Sequence, residues 1–171
     1  MNSGDESTDA IDLEAPQYGV SYPLPFDQLA LALCKSASRY IRIISPQLDH
    51  VVFDNSELVD AISALARRDR HSEIRILISD STPIVHTGHR LLNLARRLPS
   101  SVMIRKLVDH PEMTGETVVI RDLSGLLYTP AGEGLGFYEP DSPASARQFI
   151  EKFDPLWQRA VDDPNFRRLG I

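Results

Sequence analysis

A chain of 171 residues, 42% hydrophobic and 25% charged, has the composition of an ordinary soluble fold and enough length for a proper core. Its one cysteine, Cys34, excludes an internal disulfide and a cysteine-rich zinc site. The net charge of −6 is uneven: residues 1–25 carry Asp5, Glu6, Asp9, Asp12 and Glu14 without a Lys or Arg, which leaves 19 acids against 18 bases and weighs against a sequence-independent nucleic-acid binder, whose face must be basic to displace counterions.

Residues 1–25 are polar, acidic and proline-punctuated at their end. They bury too little apolar surface to offset the entropy of ordering, so the reading is a disordered acidic tail before a single α/β domain over 26–171. No apolar run reaches membrane-spanning length, and the N-terminus lacks the basic and apolar regions of a signal peptide. The expectation is a cytoplasmic protein without membrane contact.

Phe26, Leu29, Ala30, Leu33, Cys34 and Ala37 recur at helical spacing and predict a first helix over 26–37. Cys34 lies on its apolar face and reads as a small buried hydrophobe. Ser38 to Ser45 reads as a strand centred on Ile41-Arg42-Ile43-Ile44 and ended by Pro46, which cannot donate to a ladder. A corner follows. Asp54 and Glu57, spaced like a capping box, open a second helix with Leu58, Ala61, Ile62 and Leu65 as its buried stripe.

Glu73 to Ser79 reads as a buried strand, and Thr82-Pro83 as the N-cap and first residue of a helix reaching Leu98. A strand feeding a capped helix is half of a parallel βαβ unit. Val102 to Leu107 is a third strand. Thr117 to Ile120 and Leu126 to Tyr128, joined by the turn Asp122-Leu123-Ser124-Gly125, form a hairpin expected to add antiparallel edges. Thr129 to Pro140 reads as a mobile glycine-rich loop. The alternating Gly132, Gly134 and Gly136 are not a phosphate cradle there, since no strand-to-helix junction follows. Ser142-Pro143 opens a last helix through Ala160, with an irregularity expected at Asp154-Pro155, and residues 162–171 fold back over the body. The fold class is α/β: a mixed, mostly parallel sheet flanked by helices. Ile43, Ile76, Leu77, Leu91, Ile104 and Val119 are expected in its core.

In open α/β sheets ligands bind beyond the strand carboxyl ends. That places Ser45, Gln47, Asp49 and His50 after the first strand, Asp80, Ser81, Thr82 and His86 after the second, and Asp109, His110 and Glu112 after the third. Ser45, Asp49, His50, Asp80, Ser81, Thr82, His86, His110 and Glu116 make the candidate ligand rim. His86 and His89 have the spacing of a helical metal pair, but His89 between Val85 and Leu92 reads as half-buried and His86 as solvated, so no metal is assigned. No HExxH, Walker or dinucleotide glycine pattern occurs, and neither Ser45 nor Ser81 lies in a nucleophile elbow. No cofactor is expected.

From about Phe26 to Ala160 the chain resembles a single phospholipase D-like domain. The resemblance rests on Ile41-Arg42-Ile43-Ile44-Ser45-Pro46, on Phe53-Asp54-Asn55-Ser56-Glu57-Leu58 entering the second helix, and on Ile74-Arg75-Ile76-Leu77-Ile78. Val102-Met103-Ile104-Arg105, the hairpin from Thr117 to Tyr128 and the helix end from Phe153 to Trp157 extend it. The resemblance implies an H-x-K-x-x-x-x-D motif whose histidine attacks phosphorus and whose lysine holds phosphate. With Asp122 as the final acid, Gly115 stands at the histidine and Thr117 at the lysine. Shifted by one, Thr114 and Glu116 stand there and the acid becomes Arg121. Neither register supplies an imidazole or an ammonium. The likeness is to uncharacterised bacterial domains, read here as a pseudoenzyme module that binds a ligand or protein partner without turnover. The alternatives are a hydrolase using a remodelled rim of Asp80, His86 and His110, and a nucleic-acid-binding module. Single-motif members of the resembled superfamily pair two copies, which makes a homodimer the expected assembly.

Overall fold

The structure, a computed structural model, describes residues 11–167. Its centre is a seven-stranded mixed sheet. Strands β2 (Tyr40–Ile44), β3 (Glu73–Ile78) and β4 (Val102–Lys106) run parallel. Strand β5 (Thr117–Arg121) pairs antiparallel with β2, and β6 (Gly125–Thr129), β7 (Gly136–Glu139) and β1 (Gln17–Val20) continue antiparallel outward. The spatial order is β1-β7-β6-β5-β2-β3-β4.

Two of these strands differ from the sequence reading. Gln17–Val20, assigned to the disordered tail, forms an edge strand on β7; residues 1–10 of that tail lie outside the described residues. Gly136–Glu139, assigned to a mobile loop, pairs with both β6 and β1. The two short segments complete each other's ladder, so neither carries a strong local signal. The hairpin β5–β6 therefore lies inside the sheet, and the edges are β1 and β4.

Successive side chains of a strand point to opposite faces, which divides the core in two. On one face Ile41, Ile43, Ile74, Ile76 and Val119 pack against helices α1 (Phe26–Ser36), α3 (Ser56–Arg68) and α5 (Arg90–Arg97). On the other, Ile44, Leu77, Val118, Ile120 and Leu126 pack against α6 (Pro143–Arg159) through Ala146, Phe153, Leu156 and Trp157. All six residues expected in the core are buried.

The helix boundaries depart from the sequence reading for local reasons. The corner after β2 contains one helical turn, α2 (His50–Phe53), anchored by buried Val52 and Phe53. The cap of α3 is Asn55, whose side chain accepts from the N–H groups of Glu57 and Leu58 at 2.9 and 3.3 Å. Asp54, expected in a capping box, instead accepts the N–H of Arg90 at 3.0 Å and ties the start of α3 to that of α5. The helix expected over 82–98 is broken into α4 (Thr82–Thr87) and α5, because Gly88 takes a φ of +73° and His89 is extended. Thr82 is the first helical residue and not the cap, which is Ser81. Helix α6 runs through Pro155 without a break. That residue is exposed, so the helix carbonyl it leaves unbonded lies on the solvent side. Beyond α6, Val161 makes one antiparallel bridge to Lys106, and a 3-10 turn spans Pro164–Phe166; residues 168–171 of the segment expected to fold back lie outside the described residues. No described helix is long and apolar enough to cross a membrane.

Candidate functional site

Because β2, β3 and β4 are parallel and β5 is antiparallel to β2, the ends of the first three and the start of the fourth share one rim. The candidate residues all stand along it, but local bonds hold them apart. Ser45 is fully buried and its Oγ accepts the Leu48 N–H at 3.0 Å, bracing a corner where Leu48 takes a φ of +54°. His50 Nε2 lies 2.9 Å from both the Gly88 carbonyl and the Thr87 hydroxyl. Asp80 accepts the Thr82 N–H at 2.9 Å, which holds its carboxyl below the usual range. His86 is exposed on α4. His110 accepts the Glu112 N–H through Nδ1 at 3.2 Å, and its Nε2 lies 3.3 Å from an Arg159 nitrogen. No hydrogen bond or ion pair joins Asp80, His86 and His110, and no group of three metal-binding side chains occurs among the described residues.

Ser81 belongs to a different assembly. Its hydroxyl donates to Asp163 at 2.6 Å, and the Lys106 ammonium lies 3.4 Å from Ser81 and 3.7 Å from Asp163. Burial opposes the charge on Asp163, but Ser81, the Asn165 N–H and Lys106 together keep its carboxyl below the ordinary range. The cluster clamps the returning C-terminal segment onto the ends of β3 and β4. The Ser81 hydroxyl is turned to a carboxylate acceptor, and the residue is 4% exposed.

The positions that match the phospholipase D motif are instructive. Gly115 has a φ of +89°, and a Cβ built there would stand 3.0 Å from the Ala131 side chain. Both facts resist a side chain at this position. Thr117 is buried and faces Thr129 across the hairpin. Beside it lies the Tyr22 hydroxyl, which donates to Asp49. Burial, and then the Asp49 carboxylate, push the Tyr22 hydroxyl well above its ordinary pKa, so it stays neutral. Tyr22 is held by an edge-on contact with Phe26, ring centroids 5.0 Å apart. Glu116 points to the opposite face, where it pairs with Lys152 of α6. Asp122 accepts the N–H groups of Ser38, Arg39 and Tyr40 at 2.9, 2.8 and 2.9 Å.

Sequence reasoning missed Tyr22, Thr129, Lys152 and Asp163. Tyr22 sits in the proline-punctuated stretch assigned to the tail, where no periodicity marks it. Lys152 and Asp163 reach their partners only through tertiary packing. The structure places Gly115, Thr117 and Asp122 at the entry to or exit from β5.

The fold is phospholipase D-like. Nuc from Salmonella typhimurium, a phospholipase D family member, superposes with a TM-score of 0.61 at 17% identity, over 87% of this chain and 99% of its own. NucT from Helicobacter pylori gives 0.61 at 12% identity, over 87% and 98%. TrmBL2, an archaeal chromatin protein, gives 0.61 at 13% identity, over 87% of this chain and 54% of its own. At these identities the likeness concerns the fold. No curated protein matches the sequence. Residues 23–169 match the family described as Domain of unknown function (DUF7931), and the chain belongs to that family.

Proposed function

We propose that this domain is a non-catalytic phospholipase D-like module that binds a ligand or protein partner without turnover. One observation carries the reading: where the resembled superfamily places a nucleophile and a phosphate-binding cation, this chain has a left-handed glycine and a buried threonine. Attack on phosphorus needs an activated nucleophile, an acid for the leaving oxygen and cations for the spreading charge. A neutral Tyr22 donating to Asp49 supplies none of these. A second copy would bring the same residues.

The solved relatives include a DNA-binding chromatin protein, so nucleic acid is the natural competing ligand. The near-neutral body, with 19 acids against 18 bases beyond residue 25, weighs against it. The test is an assay of the full chain on a generic phosphodiester and on single-stranded DNA, with and without divalent metal. No turnover is expected. Activity that survives purification and disappears in His110→Ala would overturn the reading in favour of a hydrolase built on the His110–Arg159 pair.

A further inference from the structure

Three arginines rise from neighbouring strands on the α6 face of the sheet, away from the motif positions on the α1 side. Arg42 on β2 and Arg75 on β3 stand opposite each other in the parallel register, and Arg105 on β4 stands two residues further along. Trp157 of α6 is the platform of two of them: its ring centroid lies 4.5 Å from the guanidinium carbon of Arg105 and 5.6 Å from that of Arg75. Arg42 lies over the Tyr40 ring instead, 5.5 Å from its centroid. Each guanidinium keeps N–H groups that need acceptors.

Those acceptors are incomplete. Asp154 meets Arg42 Nε at 3.3 Å, Glu73 meets Arg75 Nη2 at 3.2 Å, and Asp162 lies 3.9 Å from Arg105 Nε. Arg42 Nη1 and Arg75 Nε are nevertheless buried without an acceptor among the described residues. A buried charged donor is costly to leave unpaired, and two on adjacent strands are a coincidence with a simple common answer. Paired strands lie about 4.8 Å apart, so one ion with several oxygens can accept from both. Guanidinium groups match phosphate in geometry and charge.

We propose that Arg42, Arg75 and Arg105 form a binding site for one small phosphate-class oxyanion on the α6 face of the sheet. Glu73, Asp154 and Asp162 surround the arginines and repel a polyanion, which selects a small ion or a phosphate monoester over a nucleic-acid backbone. The site is independent of the motif positions and stands whether or not the module is catalytic.

Trp157 is the only tryptophan in the chain and reports on the site directly. Inorganic phosphate titrated into the full chain at constant ionic strength, with chloride as the control, should change Trp157 emission saturably. Arg75→Gln should weaken the apparent affinity about tenfold or more, since it removes one charge-assisted donor and leaves the platform. Glu73→Gln should tighten it, because it removes a competing carboxylate. If Arg75→Gln does not fold, Glu73→Gln decides alone. No saturable response in the unmodified chain, or an affinity that Glu73→Gln leaves unchanged or weaker, overturns the proposal. Glycerol 3-phosphate binding more tightly than inorganic phosphate identifies a monoester, and the reverse order identifies the free ion; either supports the site. A single-stranded oligonucleotide acting at lower phosphate concentration than both overturns it.

Discussion

Asp122 Oδ1 lies 2.9 Å from the backbone nitrogen of Tyr40, across 82 residues of chain. The same carboxylate takes the N–H groups of Ser38 and Arg39, so one side chain satisfies three donors at the entry to β2. Asp122→Ala leaves those donors to water or unpaired and should cost about 1–3 kcal/mol. Asp122→Asn keeps one carbonyl acceptor and tolerates the φ of +49° there, so it should cost less. Urea unfolding of both variants checks the order. Equal losses would mean that the turn geometry matters and the acceptor does not.

Acid should unfold the protein partly through His89. Its Nδ1 accepts the Leu91 N–H at 3.0 Å, and its Nε2 lies 3.1 Å from the Leu48 carbonyl, which suits a neutral ring with hydrogen on Nε2. Burial lowers its pKa from the usual 6.5 to about 4, against the pull of Asp54 and with the push of the neighbouring His50. Above pH 6.5 the ring is neutral folded and unfolded. As pH falls from there towards 4 the unfolded chain takes up a proton that the folded chain refuses, so stability falls through that window and levels off below it. The loss is at most about 3 kcal/mol. Asp54, lowered from its usual 3.8, adds its own loss at still lower pH. Denaturant midpoints measured from pH 7 to pH 4 should fall in the natural chain and stay flatter in His89→Asn. An equal slope in both would rule out His89 as the source.

Gly136 is required by contact. A Cβ built there would stand 1.9 Å from the carbonyl oxygen of Tyr128 on the neighbouring strand. Backbone cannot yield as the tip of a side chain can, so Gly136→Ala must push β7 off β6 and with it β1. The expected cost is above about 2 kcal/mol, the upper range of core overpacking. Thermal melting with amide hydrogen exchange checks it. A melting temperature within a degree or so of the natural chain, with β1 and β7 still protected, would show that the pair accommodates a methyl group.

The parts of this fold that announce themselves in sequence are those whose burial is decided locally. Ile41 to Ile44 and Ile74 to Ile78 are β-branched runs bounded by proline or helix caps, and Asp122 to Gly125 is a turn between apolar segments. Gln17–Val20 and Gly136–Glu139 are short and glycine-bearing, and they are strands because they meet each other. Topology alone set the expected candidate rim at one end of the sheet. It could not say that Ser45, Asp80 and His110 would each be engaged with their own chain neighbours, since those bonds depend on corner geometry. That Tyr22 would donate to Asp49 was not legible either, because nothing in an acidic, proline-ended stretch marks a side chain that turns inward.

The register Gln17 with Tyr138 has a temporal side. Strand β1 leaves the ribosome first, and β7, which alone pairs with it, follows more than a hundred residues later. Through nearly all of synthesis the N-terminal segment has no template, while the parallel strands and their helices can already assemble. Its exposed polar groups must stay solvated until the final hairpin arm emerges. Asp12 and Glu14, just before β1, put charge beside that open edge until its place in the sheet exists.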